Sequence, residues 1–224
     1  ISSGRTIASL MDFSKDIPLK LPVIAFNGAV LYDIDKKMFL RKKVLKKDVV
    51  NGIQEILREG KVCCFITALV QDTLLIYYEG FFHPVEEEIY HKQRTSPYRN
   101  FIKGTVESEA ESLYIMCIHK QEIITEICEQ IKKLPIAEQF KMVQMNSKEY
   151  PGYTYLEFYH KEANKQNMLS ELKTITGLKE TVTFGPIPGN CDILIQDNNQ
   201  NMVVKKMKEI YEPFIWKKKD EINI

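Results

Sequence analysis

Residues 62 to 159 carry strand-like runs one after another, whereas on either side of them the sequence alternates single strands with helices. Consecutive strands pair as an antiparallel sheet with helices on one face, and alternation builds an α/β layer. A chain with the first pattern set inside the second is an α/β domain interrupted by an α+β insertion. Within the insertion, Val62 to Leu69 and Thr73 to Tyr78 read as paired strands and Leu113 to His119 as another. Phe140 to Met145 and Tyr153 to Tyr159 are strands joined through a turn at Pro151-Gly152. Gln121 to Lys133 is an amphipathic helix through Ile123, Ile124, Ile127 and Ile131, and Glu86 to Arg94 is a charged stretch, helical or irregular.

The flanks begin with Ile1-Ser2-Ser3-Gly4-Arg5, which reads as a strand end and a small-residue turn, followed by apolar residues at helical spacing from Thr6 to Met11. Ser-Ser-Gly-Arg in that place fits two roles, a helix cap or a turn whose backbone N–H groups receive an anion. Pro22 to Phe26 is a compact apolar run ending at Asn27-Gly28, the pattern of a buried parallel strand and its turn. Ala29 to Tyr32 and Met38 to Arg41 read as a hairpin. Lys47 to Arg58 is a helix that buries Val49, Val50, Ile53, Ile56 and Leu57 and stops at Gly60. After Tyr159 the expected order is a helix over Glu162 to Leu172, a strand over Thr181 to Phe184 and a loop over Gly185 to Asn190. A strand over Asp192 to Gln196 and a helix over Met202 to Tyr211 follow.

Composition narrows the function. With 224 residues, 44% hydrophobic and 27% charged, the chain can fill one large core or two small ones. A formal net charge of +1 gives no general attraction to nucleic acid or acidic membranes, and the apolar runs are too short to span a bilayer. Neither nucleic acid nor membrane is an expected partner. The five cysteines are odd in number and include no C-x-x-C pair, so they read as small core residues in a reducing, cytoplasmic compartment. Cys63 and Cys64 point to opposite faces of a strand. His83, His91, His119 and His160 have no ligand spacing, and Tyr150, Tyr153, Tyr155, Phe158 and Tyr159 read as sheet packing.

Four places in this order resemble the haloacid dehalogenase superfamily, within it the Cof-type, sugar-phosphatase-like branch. Ser3-Gly4-Arg5 is similar to that branch's second motif, and P-V-I-A-F-N-G-A from Pro22 to Ala29 to its strand followed by Asn-Gly-Ala. Lys165, with Leu169 behind it, is similar to the third-motif lysine, and Thr181 to Asn190 occupies the place of the fourth motif. The resemblance implies a Rossmann-like, three-layer α/β core with a mostly parallel sheet, formed by residues 1–43 and 160–224. It implies an α+β cap domain inserted at residues 44–159.

The resemblance further implies hydrolysis of a small phosphorylated metabolite through an aspartyl-phosphate, with Mg2+ as cofactor. In that chemistry a carboxylate attacks phosphorus, and a hydroxyl and a cation stabilise charge on the transferring oxygens. Ser3 is then the catalytic hydroxyl, with a backbone N–H nearby, and Lys165 the catalytic cation. Gly4, Arg5, Asn27, Gly28 and Asn198 contact phosphate or substrate, and Asn190 and Asp192 stand where metal ligands belong.

Three departures accompany it. The Asp-x-Asp motif with the nucleophile belongs one strand and one helix before Ile1, and is expected upstream. The fourth motif reads F-G-P-I-P-G-N-C-D, with Pro186 in the place of one acid and Asn190 or Cys191 in that of the other. Proline offers no side-chain ligand, and an amide holds Mg2+ less well than a carboxylate. Gln166 replaces the glycine after the third-motif lysine. Two functions fit these residues: a Mg2+-dependent phosphatase, or a member that keeps the phosphate pocket but has lost catalysis and serves in binding or regulation.

Overall fold

The computed structural model describes residues 1–13, 19, 21–179, 192–196 and 202–206, in two compact units, Ile1–Leu178 and Lys179–Ile224.

In the first unit, α1 (Ile7–Phe13) is followed by β1 (Val23–Ala25), β2 (Val30–Asp33) and β3 (Met38–Lys42), an antiparallel sheet in the order β1-β2-β3. On its other side β1 takes a parallel partner, Ser2 against Ile24. The expected parallel neighbour of the Pro22–Phe26 run is therefore present at Ser2, and the hairpin supplies the antiparallel one. Every residue of β1 is buried, as a strand flanked on both edges should be.

Next come α2 (Lys47–Glu59), β4 (Cys64–Val70), β5 (Thr73–Tyr78), α3 (Pro84–Gln93), β6 (Asn100–Lys103), β7 (Glu111–Lys120), α4 (Gln121–Ile131), β8 (Phe140–Asn146) and β9 (Tyr153–His160). Their strands form one six-stranded sheet in the order β6-β5-β4-β7-β9-β8. All pairs are antiparallel except β5 with β6, which are parallel across the α3 crossover. The expectation of a purely antiparallel insertion is corrected at this edge, because β6 is short, mostly exposed and carries no apolar run that marks it.

Side-chain alternation gives this sheet two different faces. Ile66, Ile115, Leu156 and Phe158 pack under α2 and α4, against Ile53, Leu57, Ile124 and Ile131. Phe65, Tyr114, Met116 and Tyr159 point the other way, toward Ile7, Leu10 and Phe26. Cys63 and Cys64 divide between the two clusters as the strand period requires. The charged stretch before Arg94 is helical as α3. His83, in extended backbone before Pro84, accepts from the Val85 N–H, and Glu86 completes a reciprocal cap.

The chain then returns to the first sheet through α5 (Lys165–Thr176), whose Met168 and Leu172 pack on Ile24 and Leu31. The helix starts later than Glu162 because Asn164 caps it, its Oδ1 accepting the Asn167 N–H at 2.7 Å. The first unit thus has an α/β core sheet with an inserted helix-and-sheet module between β3 and α5.

The second unit contains an antiparallel hairpin of β10 (Asp192–Gln196) and β11 (Met202–Lys206). A helix over Met202 to Tyr211 is not what forms at its start: Val203 and Val204 are β-branched, and they pair with Ile195 and Leu194. Residues 207–211 lie outside the described set, as do Thr181–Phe184 and the loop from Gly185 to Asn190.

Candidate functional site

Three segments far apart in the sequence meet at one corner of the first unit. The Ser3 N–H donates to the Ile24 carbonyl at 2.9 Å, the Phe26 N–H to Arg5 at 3.0 Å, and the Asn27 N–H to Ser3 at 3.2 Å. The turn at Ser3–Arg5 is thereby laced to the end of β1. Phe26, Asn27 and Gly28 all have positive φ (48°, 53° and 93°), so the chain reverses sharply through left-handed backbone. Gly28 is pressed against the start of α5: a β-carbon there would lie 2.2 Å from the carbonyl carbon and oxygen of Asn164 and 2.7 Å from the nitrogen of Lys165. Gly4 is approached from another side, less severely, since its β-carbon would stand 2.7 Å from the side-chain Oδ1 of Asn27. Ser3, Gly4, Arg5, Asn27, Gly28 and Lys165 are thus brought together.

Their groups are not equally available. Ser3 Oγ accepts the Arg5 N–H at 3.1 Å, and the Ser3 N–H is committed to Ile24. The backbone N–H expected near the Ser3 hydroxyl is therefore not that of Ser3; Gly4 has the N–H without a partner among the described residues. The turn is not the helix cap either: Thr6 Oγ1 accepts the Ser9 N–H at 3.2 Å and caps α1. Lys165 is exposed at the first position of α5 and makes no ion pair among the described residues. A cation at that end of a helix adds to the positive end of the helix dipole, and an anion placed there relieves both.

A cavity of about 280 Å³ opens beside this corner. Gly4, Arg5 and Thr6 form one end, Phe65 and Tyr155 contribute aromatic wall, and Arg99 and Glu157 bring charge. Glu157 is buried on β9, where Tyr114 donates to its Oε1 at 2.8 Å and Tyr159 to its Oε2 at 2.7 Å. Burial first, then this carboxylate, raises the pKa of both phenols. The Asn27 side chain, across from Tyr159, partly offsets that rise for Tyr159. Tyr155 is a cavity wall as well as sheet packing. Sequence reading missed Arg99, Tyr114 and Glu157. The period-two alternation on β9 puts Glu157 on the same face as Tyr155 and Tyr159 and was the available signal for that residue.

His83 and His119 also meet, with ring centroids 5.1 Å apart, and His83 Nε2 lies 3.2 Å from the Tyr153 hydroxyl. Among the described residues no group of three or more His, Cys, Asp or Glu could hold a metal ion, so these residues do not by themselves fit a Mg2+ site. Asn190 and Asn198 lie outside the described residues. Asp192 opens β10 in the second unit, its side chain undescribed. Cys63, Cys64, Cys117 and Cys128 are free; burial raises their pKa values, that of Cys64 to about 12, which makes them poor nucleophiles. No helix among the described residues is long and apolar enough to cross a membrane.

A sequence profile of haloacid dehalogenase-like hydrolases matches residues 1–186, and the chain belongs to that family. Solved structures agree in fold. A haloacid dehalogenase-like hydrolase from B. subtilis has 15% identity and a TM-score of 0.57, over 79% of this chain and 66% of that one. One from Bacteroides thetaiotaomicron has 14% identity and a TM-score of 0.59, over 79% and 63%. The subclass IIB sugar phosphatase BT4131 has 16% identity and a TM-score of 0.56, over 80% and 62%. The chain therefore spans slightly less than two thirds of the length of these structures. No curated protein sequence matches it significantly.

Proposed function

We propose that this chain carries the phosphate- and substrate-facing part of a Cof-type phosphatase site acting on a small phosphorylated metabolite. The core is residues 1–43 with 160–224 and the cap residues 44–159. The observation that carries the reading is the convergence of Ser3–Arg5, Asn27–Gly28 and Lys165 on one corner, with a ligand-sized cavity beside it. That BT4131 is a sugar phosphatase of the same fold adds support.

In this reading the substrate phosphoryl group passes from its ester oxygen to an aspartate carboxylate, and water then breaks the aspartyl-phosphate to release inorganic phosphate. The aspartate lies upstream of Ile1. Ser3 Oγ and the Gly4 N–H donate to phosphoryl oxygens, and the Lys165 ammonium offsets the charge that builds on them. Gly28 lets the β1 turn approach α5 closely enough for these groups to face one phosphate, and Asn27 and Arg5 border it. Mg2+ would supply further charge neutralisation when bound. Asn190 and Asp192 are its proposed ligands in this chain and Asn198 a further substrate contact. The reaction takes place in the cytoplasm, with neither nucleic acid nor membrane as partner.

The alternative is a family member that binds a phosphorylated ligand without turnover, favoured by Pro186 in the place of an acid in F-G-P-I-P-G-N-C-D. Phosphate release from p-nitrophenyl phosphate by the full-length protein, with and without Mg2+, tests the two. Mg2+-dependent release supports the phosphatase. Binding of inorganic phosphate with no release at any Mg2+ concentration supports the alternative.

A further inference from the structure

The cavity beside the Ser3–Arg5 turn contains a cation whose electrostatics the fold leaves incomplete. Arg99 lies between α3 and β6, half-buried, and lines the cavity. Its Nη2 donates to Ser9 Oγ at 2.7 Å, and among the described residues no carboxylate lies within ion-pair distance of it. Asp12 attracts it from farther away, while its own Oδ2 accepts from Ser96 at 3.0 Å. A guanidinium carries five N–H donors, and withdrawing its charge from water costs free energy unless an anion answers it. Burial accordingly lowers the pKa of Arg99 below its ordinary value, with Asp12 opposing.

Position decides what the anion belongs to. Ser3, Asn27 and Lys165 do not line this cavity, whereas Gly4 and Arg5 form its near end. The cavity thus begins where the proposed phosphoryl contacts end, a position suited to the part of an ester that departs as alcohol. Glu157 contributes a negative charge to the same lining, which disfavours an anion beside β9 and favours hydroxyl donors there. Around them the wall is apolar and aromatic, so a charge near Arg99 is poorly screened by water.

We infer that Arg99 is a specificity residue that binds a second anionic group, carboxylate or phosphate, on the leaving part of the substrate. The substrate class is then a small phosphate ester with two anionic ends. The assignment of the first end rests on the phosphatase reading above; the anion contact at Arg99 does not.

Calorimetric titration of the full-length protein with glycerol phosphate, phosphoglycerate and bisphosphoglycerate tests this without requiring turnover. One of the two doubly anionic ligands should bind about 10- to 100-fold more tightly than glycerol phosphate, the gain of a charge-assisted contact. Which of them gains identifies carboxylate or phosphate as the preferred group. Arg99→Met should abolish the gain and Arg99→Lys should keep part of it, with both variants checked for native circular dichroism. If Arg99→Met does not fold, the wild-type comparison and Arg99→Lys still decide. Equal affinity for all three ligands in the wild type, or a gain that persists in Arg99→Met, overturns the inference. Phosphate release is measured separately, so that absent turnover with an intact Arg99-dependent gain rejects only the phosphatase reading.

Discussion

Gly28 and Asn164 meet backbone to backbone, so closely that a β-carbon on Gly28 would lie 2.2 Å from the carbonyl carbon and oxygen of Asn164. The contact joins the turn after β1 to the cap of α5, and Lys165 follows immediately. Gly28→Ala must both displace that backbone and hold φ near 93°. The loss of stability should be on the order of 3 kcal/mol, combining roughly 1–3 for overpacking with about 1–2 for left-handed backbone. Urea unfolding measures it. Gly80→Ala, whose β-carbon would meet nothing within 4 Å, is the control and should be nearly neutral.

Lys165 is exposed and makes no ion pair among the described residues, so its removal should leave the fold intact. If it supplies the charge assigned to it, Lys165→Ala lowers kcat by about 10²–10³, the usual cost of losing one group that stabilises transition-state charge. The melting temperature should not change. Unaltered phosphate release would remove Lys165 from the site.

Glu86 is fully buried, and its carboxylate accepts three backbone N–H groups, from Cys63 at 2.8 Å, Phe82 at 2.7 Å and His83 at 3.0 Å. Burial raises its pKa, and those three donors oppose the shift. Glu86→Ala orphans all three, at about 1–3 kcal/mol each where they stay buried, so a loss of at least ~3 kcal/mol is expected. Glu86→Gln keeps one accepting oxygen and should cost less. Equal denaturation midpoints for wild type and Glu86→Ala would show that water replaces the carboxylate.

His119 has its pKa depressed, first by burial and then by His83 and Lys120, and its Nδ1 is buried without a partner among the described residues. Below its ordinary value of about 6.5 the unfolded chain takes up a proton that the folded state resists. The stability contribution is complete above that pH and is lost as pH falls through the depressed folded value. His160 shifts in the same direction, mainly through burial. The melting temperature should therefore fall between pH 7.5 and pH 5.5, and His119→Phe should flatten the profile. A profile unchanged by His119→Phe would assign the pH dependence elsewhere.

Much of the fold was legible because periodicity is local. The apolar faces of α2 and α4, the strands β4, β5, β7, β8 and β9, and the hairpin of β2 and β3 follow from side-chain spacing alone. Where local signals were weak, reading failed. β6 has no apolar alternation, and Asn164 moved the start of α5 by capping it. Met202 to Lys206 became a strand because pairing with β10 outweighed helical spacing. At the candidate site, Ser3-Gly4-Arg5, Asn27-Gly28 and Lys165 were recognisable as motifs in order, whereas Arg99 has no neighbours in sequence that mark it and Glu157 only its alternation with Tyr155 and Tyr159.

The sequence by itself determined the α/β layer, the insertion and the family resemblance, since all three are written in spacing and motif order along the chain. Only the tertiary structure decided which groups at the Ser3 turn remain available, because hydrogen bonds to Ile24 and Arg5 consume some and leave the Gly4 N–H. It also decided that a cavity begins at Gly4 and contains Arg99 and Glu157. That juxtaposition depends on how the inserted sheet closes over the turn, a long-range packing outcome that residue order does not encode locally.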